Sequence, residues 1–220
     1  MFKSERLPII VPQQEHARLA GSLALFWGNE EFDKPNFPVE SLAKGLMFHH
    51  MGYGSTDNVA FRELSEKELL HIFEGDIDAE LVNLFHQLRL INNRFEQTKS
   101  PNFEKLKIQV ETMISQRLQA SKYTREDFEW ANRLTHICDR LSFNFCQGLE
   151  AEANVDVFPR RNNSEKISIT NELVGTSTIV VDPWPFSVSE IPCVVVAYVA
   201  ENYPNVLVPY LVQATVVSRR

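Results

Sequence analysis

The stretch Phe48-His49-His50-Met51-Gly52-Tyr53-Gly54-Ser55-Thr56-Asp57 puts two adjacent imidazoles, two glycines and a carboxylate where an apolar helix should stop. Imidazoles and carboxylates are common ligands of divalent cations, and a site buried between helices needs several of them converging from different elements. His16, His86 and Asp139 lie on three other segments with helical periodicity, so four segments offer candidates. Each also has an ordinary structural role open to it. His16 could sit at the surface of a helix start, His86 could be a satisfied core histidine, and Asp139 could pair with Arg133 or Arg140. The pair His49-His50 is less ordinary. Residues adjacent on a helix point roughly 100° apart, however, so both face one centre only where the helix is distorted. Ser142, one turn beyond Asp139, reads as packing or as hydrogen-bonding to its own helix. The sequence contains no Ser-His-Asp elbow, phosphate-cradling glycine loop or zinc-ribbon cysteine pattern.

Helices must position these groups. Residues 7–11 form a short β-branched run that leads into a helix over 13–27, with Pro12 suited to its first turn and His16 near the positive end of its dipole. A second helix is expected over 39–51, stopped by Gly52 and Gly54. Ser65 and Glu68 make a capping-box pattern for a short helix. Residues 78–95 form a third substantial helix with His86 beside its apolar stripe, and Pro101 opens another. The last long helix starts at Thr124 with Asp127 three residues on, and it places His136, Asp139, Ser142 and Cys146 on one face. After residue 150 the pattern turns β-rich, over 167–169, 177–181, 193–199 and 206–217, and residues 202–205 read as a hairpin turn. The expected fold class is α+β: a mostly helical body over 1–150, then a small antiparallel sheet over 151–220 packed on it as one compact unit.

Net charge of −7, from 22 Lys and Arg against 29 Asp and Glu, argues against a general nucleic-acid binder. Cys138, Cys146 and Cys193 lack CxxC spacing and read as buried, reduced thiols. The first residues show no secretory signal, and the longest apolar run falls well short of the ~20 residues that span a bilayer. A cytoplasmic protein with no membrane partner is expected.

The order of His16, then His49 with its polar neighbour, then His86, then Asp139 late on a long helix resembles the HD-domain superfamily of metal-dependent phosphohydrolases. The chain more closely resembles a family of uncharacterised bacterial proteins, domain of unknown function 3891, with an HD-like pattern. That likeness rests on residues 14–21 with Trp27-Gly28, residues 49–57, residues 81–90, Asp139-Arg140-Leu141-Ser142, and the loop Asp182-Pro183-Trp184-Pro185-Phe186. The resemblance implies an HD-like helical bundle and a divalent cation, such as manganese, iron, magnesium or zinc, held by His16, His49, His86 and Asp139. The family pattern has His-Asp then Gly-Trp, where this chain has His49-His50 and Gly52-Tyr53. In HD enzymes that aspartate can bridge two metals. His50 cannot, so one cation is expected instead of two. The function implied is hydrolysis of a phosphoric ester, a small-molecule substrate, with His50 or Asp57 assisting proton transfer. The alternative is a metal- or ligand-binding protein without catalysis. Its partner surface would be the Trp184 and Phe186 loop with the exposed hairpin edge, and the C-terminal sheet would serve a homo-oligomer; the ordinary role for that loop, favoured over a partner surface, is core packing of sheet against helices.

Overall fold

The structure, a computed structural model, describes residues 1–50, 73–98, 101–149, 153–161, 165–201 and 203–219. Two strands, β1 (Phe2–Lys3) and β2 (Ile9–Val11), precede helices α1 (Gln13–Ala24) and α2 (Val39–Met47). Three more helices follow, α3 (Ile77–Thr98), α4 (Pro101–Leu118) and α5 (Arg125–Gln147). The chain ends with β3 (Ala153–Val157), β4 (Ile167–Val174), β5 (Thr178–Asp182), β6 (Glu190–Val199) and β7 (Pro209–Ser218).

All seven strands join one sheet in the order β1-β2-β6-β7-β5-β4-β3. Neighbours are antiparallel except β5 and β7, which run parallel with Thr178 opposite Thr215. The protein is therefore α+β with five helices among the described residues and a seven-stranded mixed sheet. This corrects the expected mostly helical, HD-like bundle with a small antiparallel C-terminal sheet. The reason lies in pairings that local pattern cannot announce. Ile9 pairs with Val199 from the far end of the chain, and β6 makes its hairpin on the opposite side of β7 from β5. The β6–β7 hairpin itself is antiparallel, as expected, with Val212, Ala214 and Val216 buried. Val206, Val208 and Tyr210, which continue the same alternation towards the turn, are exposed. The residues 52 and 54, the 65–68 pattern and residue 202 of the expected turn lie outside the described residues.

Glycine sets the spacing of the helices that matter here. A Cβ on Gly21 of α1 would stand 2.6 Å from the Ala43 carbonyl of α2, and one on Gly45 of α2 would stand 2.6 Å from the Ala79 carbonyl of α3. Both are closer than real Cβ contacts allow. Absent side chains thus let three helices approach backbone to backbone. The fourth helix of the group, α5, starts with a complete capping box between Thr124 and Asp127 and stops at Gly148 in the left-handed region, φ 67°.

Helix and sheet meet through polar side chains as well as the core. Glu15 of α1 accepts from Val196 N at 2.9 Å, and Arg18, paired to Glu15, donates to the Val194 carbonyl. These contacts satisfy part of β6 beyond its short pairing with β2. The 182–186 loop is interior only at its end: Pro185 and Phe186 are buried, Pro183 and Trp184 half-buried and Asp182 exposed. Phe186 is 1% exposed and packs at 6.1 Å edge-on to Trp27, whose neighbour Gly28 donates to Pro185 O. The loop's main aromatic anchor is therefore unavailable as a partner surface.

Candidate metal centre

Each element delivers one part of a polar cluster inside the helical layer. His16 is the fourth residue of α1, on the same face as Ala20 and Leu23, and is 1% exposed. A surface role for it is excluded. Helix α2 ends at Met47 with Phe48 as its cap, four residues earlier than the sequence suggested. His49 and His50 therefore sit in a turn beyond the helix, and the 100° separation does not apply to them. Their rings lie 4.0 Å apart, and both approach His16, at 5.4 and 5.3 Å between centroids. Asp139 comes from α5, its side chain 20% exposed.

The hydrogen bonds fix which nitrogen of each ring is free. Ser142 Oγ donates to the His16 carbonyl at 2.7 Å, so it can only accept from His16 Nδ1 at 2.9 Å. His49 Nδ1 donates to Leu46 O at 2.6 Å, a carbonyl that can do nothing but accept. Both rings thus carry their proton on Nδ1 and present a bare Nε2. His16 Nε2 lies 2.9 Å from Asp139 Oδ1 and His49 Nε2 lies 3.2 Å from the same oxygen, the latter without hydrogen-bond alignment. Two lone pairs against one carboxylate oxygen repel unless a positive species lies among them. A proton on one ring would serve, and so would a metal ion. Burial lowers the His16 pKa, with Asp139 acting in the opposite sense. Burial and the neighbouring His49 hold His50 well below the usual imidazole value. Burial also works against the Asp139 charge, and a proton or cation shared with His16 and His49 would hold its carboxyl well below the ordinary carboxylate range.

One ligand atom from each of His16, His49, His50 and Asp139 lies within 4.8 Å of all the others, so the cluster could hold a metal ion. The fixed tautomers fit that role, because ligating histidines commonly donate their remote N–H to a carbonyl or hydroxyl.

His86, the other expected ligand, stands beside this group and outside it. It is fully buried on α3 with its ring 4.4 Å from that of His49. Arg89 Nη2 donates to His86 Nδ1 at 2.9 Å, which places the His86 proton on Nε2 and leaves no lone pair there for a cation. That Nε2–H is a buried donor without a partner among the described residues. Burial and the nearby His49 press the His86 pKa well below its ordinary value. Asp57, the second candidate for proton transfer, lies outside the described residues.

Three functional neighbours escaped the sequence reading. Ser142 bonds to His16 across the helix interface instead of to its own helix. Gln87 donates to His49 O at 2.6 Å and so steadies the turn that carries both histidines. Arg89 reaches to 3.7 Å from Asp139 Oδ2. Its only sequence signal is the three-residue spacing from His86, which puts both on one side of a helix. His136, on the Asp139 face of α5, is exposed.

Among the described residues, no helix is long and apolar enough to cross a membrane. No curated protein and no solved structure matches the chain. A family model described as protein of unknown function (DUF3891) matches residues 79–201, which is more than half of the chain and includes His86, Arg89, Asp139 and Ser142, and the chain belongs to that family.

Proposed function

We propose that the protein is a metal-dependent hydrolase in which His16, His49 and Asp139 hold one divalent cation, and that its substrate is a phosphoric ester. One observation carries the reading: two buried Nε2 lone pairs, each fixed by a hydrogen bond on the far side of its ring, meet a single carboxylate oxygen. A cation held there would act as a Lewis acid and bring the pKa of a bound water towards ~7. Two imidazoles with one carboxylate suit zinc, iron or manganese ahead of magnesium, which prefers an all-oxygen shell. His50, the more exposed of the pair, would accept a proton at the edge of the cluster. With one carboxylate in the cluster among the described residues, a single cation is the expected load.

A second reading has its own observation. The four donor atoms of His16, His49, His50 and Asp139 are mutually close, and four protein ligands close a coordination shell as structural sites do. The protein would then bind metal without turnover and work through a partner. His50→Ala separates the two. In the hydrolase it leaves the metal content near one per chain and removes turnover of a phosphate-ester panel. In the closed site it lowers the metal content, and the wild type has no turnover to lose. A wild-type protein that holds one metal and hydrolyses no ester in the panel contradicts the first reading.

A further inference from the structure

Arg89 is a largely buried cation beside a cluster proposed to hold another cation, and that arrangement calls for an anion. We propose that the centre binds an oxyanion, the phosphoryl group of its substrate, with Arg89 as the anchoring residue and His86 as the residue that positions Arg89. The inference rests on the metal-centre reading and adds a substrate-binding group to it.

The geometry of the guanidinium supports this role. Nη1 donates to Asn132 O on α5 at 3.3 Å and Nη2 to His86 Nδ1 at 2.9 Å, so the group is held from two sides. Its approach to Asp139 Oδ2, 3.7 Å, is an ion pair too long to be a hydrogen bond. A guanidinium has five N–H donors, and only two make hydrogen bonds among the described residues. The side chain is 18% exposed. Its unused edge has the fork geometry that binds phosphate oxygens in pairs. Charge points the same way. Among the described residues the cluster holds one carboxylate, Arg89 cancels it, and a divalent cation would leave two positive charges uncompensated there. The partnerless Nε2–H of His86 is a second donor in the same quarter of the molecule.

The test uses inorganic phosphate as probe and reads metal content separately. Wild-type protein loaded with zinc or manganese is titrated with phosphate by calorimetry, beside Arg89→Met, Arg89→Lys, His86→Leu and His86→Gln. Metal content should stay near one per chain throughout. Phosphate affinity should fall about tenfold to a hundredfold in Arg89→Met, and less in Arg89→Lys, which keeps the charge and loses the fork. His86→Gln, whose amide oxygen can still accept from Arg89, should weaken phosphate less than His86→Leu. If Arg89→Met fails to fold, Arg89→Lys carries the test with the same sign. Phosphate bound equally well by wild type and Arg89 variants, or not bound by a wild type that holds its metal, overturns the anion site and leaves the metal centre standing. A wild type that takes up no metal overturns both.

Discussion

Asp139→Asn separates a metal ligand from a structural ion-pair partner, because the two roles predict opposite signs in the metal-free protein. The substitution keeps shape and removes charge. Asp139 Oδ1 faces the bare Nε2 of His16 at 2.9 Å and of His49 at 3.2 Å. An amide nitrogen in that position could donate to both, replacing lone-pair repulsion with two neutral hydrogen bonds of about 1 kcal/mol each. Against this stands the loss of the 3.7 Å ion pair to Arg89, whose side chain is 18% exposed, a cost of about 1–2 kcal/mol between those of an exposed and a buried pair. The metal-free variant should therefore be as stable as wild type or slightly more so, within roughly 2–4 °C in Tm for a chain of this length. With metal at a hundredfold its dissociation constant, the wild type should gain about 2.7 kcal/mol. That is a rise of roughly 5–11 °C, and Asp139→Asn should lose nearly all of it. Paired thermal melts with chelator and with zinc or manganese measure both quantities. If Asp139 instead pairs with a charged imidazole as a structural element, removing its charge should cost about 3–5 kcal/mol without any metal present. A metal-free Asp139→Asn that melts some 6–20 °C below wild type would refute the ligand assignment.

Ser142→Ala removes the acceptor that holds the His16 proton on Nδ1, so metal affinity should drop about tenfold to a hundredfold in a calorimetric titration while the fold persists. His50→Asp adds a hard oxygen donor to the cluster and should raise affinity for Mg²⁺ and Mn²⁺ relative to Zn²⁺, measured as a ratio of dissociation constants. Gly45→Ala drives a methyl into the Ala79 carbonyl and Val82, and should cost about 1–3 kcal/mol in chemical denaturation. An unchanged denaturation midpoint for Gly45→Ala would show that the α2–α3 approach is looser than described.

The sequence was most legible where period and chemistry agree. Apolar spacing of 3.6 located the helices, and the three-residue steps His136, Asp139 and Ser142 fixed which face of α5 carries polar groups. His16, His49, His50 and Asp139 could be named as candidates because each is a ligand-type residue on one of three apolar segments or at its end. Other features depend on distant partners. A two-residue strand such as β1 has no periodicity to detect, and the Ile9–Val199 pairing is visible only after folding. The early end of α2 at Met47 resolves the difficulty of two adjacent histidines, and no residue at 48–50 announces it. His86 shows a subtler limit. Its residue type and position suit a ligand, yet its proton is placed by Arg89, one turn along the same helix, and a ring with an N–H at Nε2 donates there instead of binding a cation.

Metal stoichiometry of the purified protein tests the central claim most directly. Elemental analysis should find about one transition-metal ion per chain after loading with zinc, iron or manganese and desalting. The same measurement on His16→Ala and Asp139→Ala should find well under half of that, because each removes a ligand that no neighbour replaces. A wild-type protein that emerges metal-free, or alanine variants that keep a full equivalent, would contradict a metal centre at His16, His49 and Asp139.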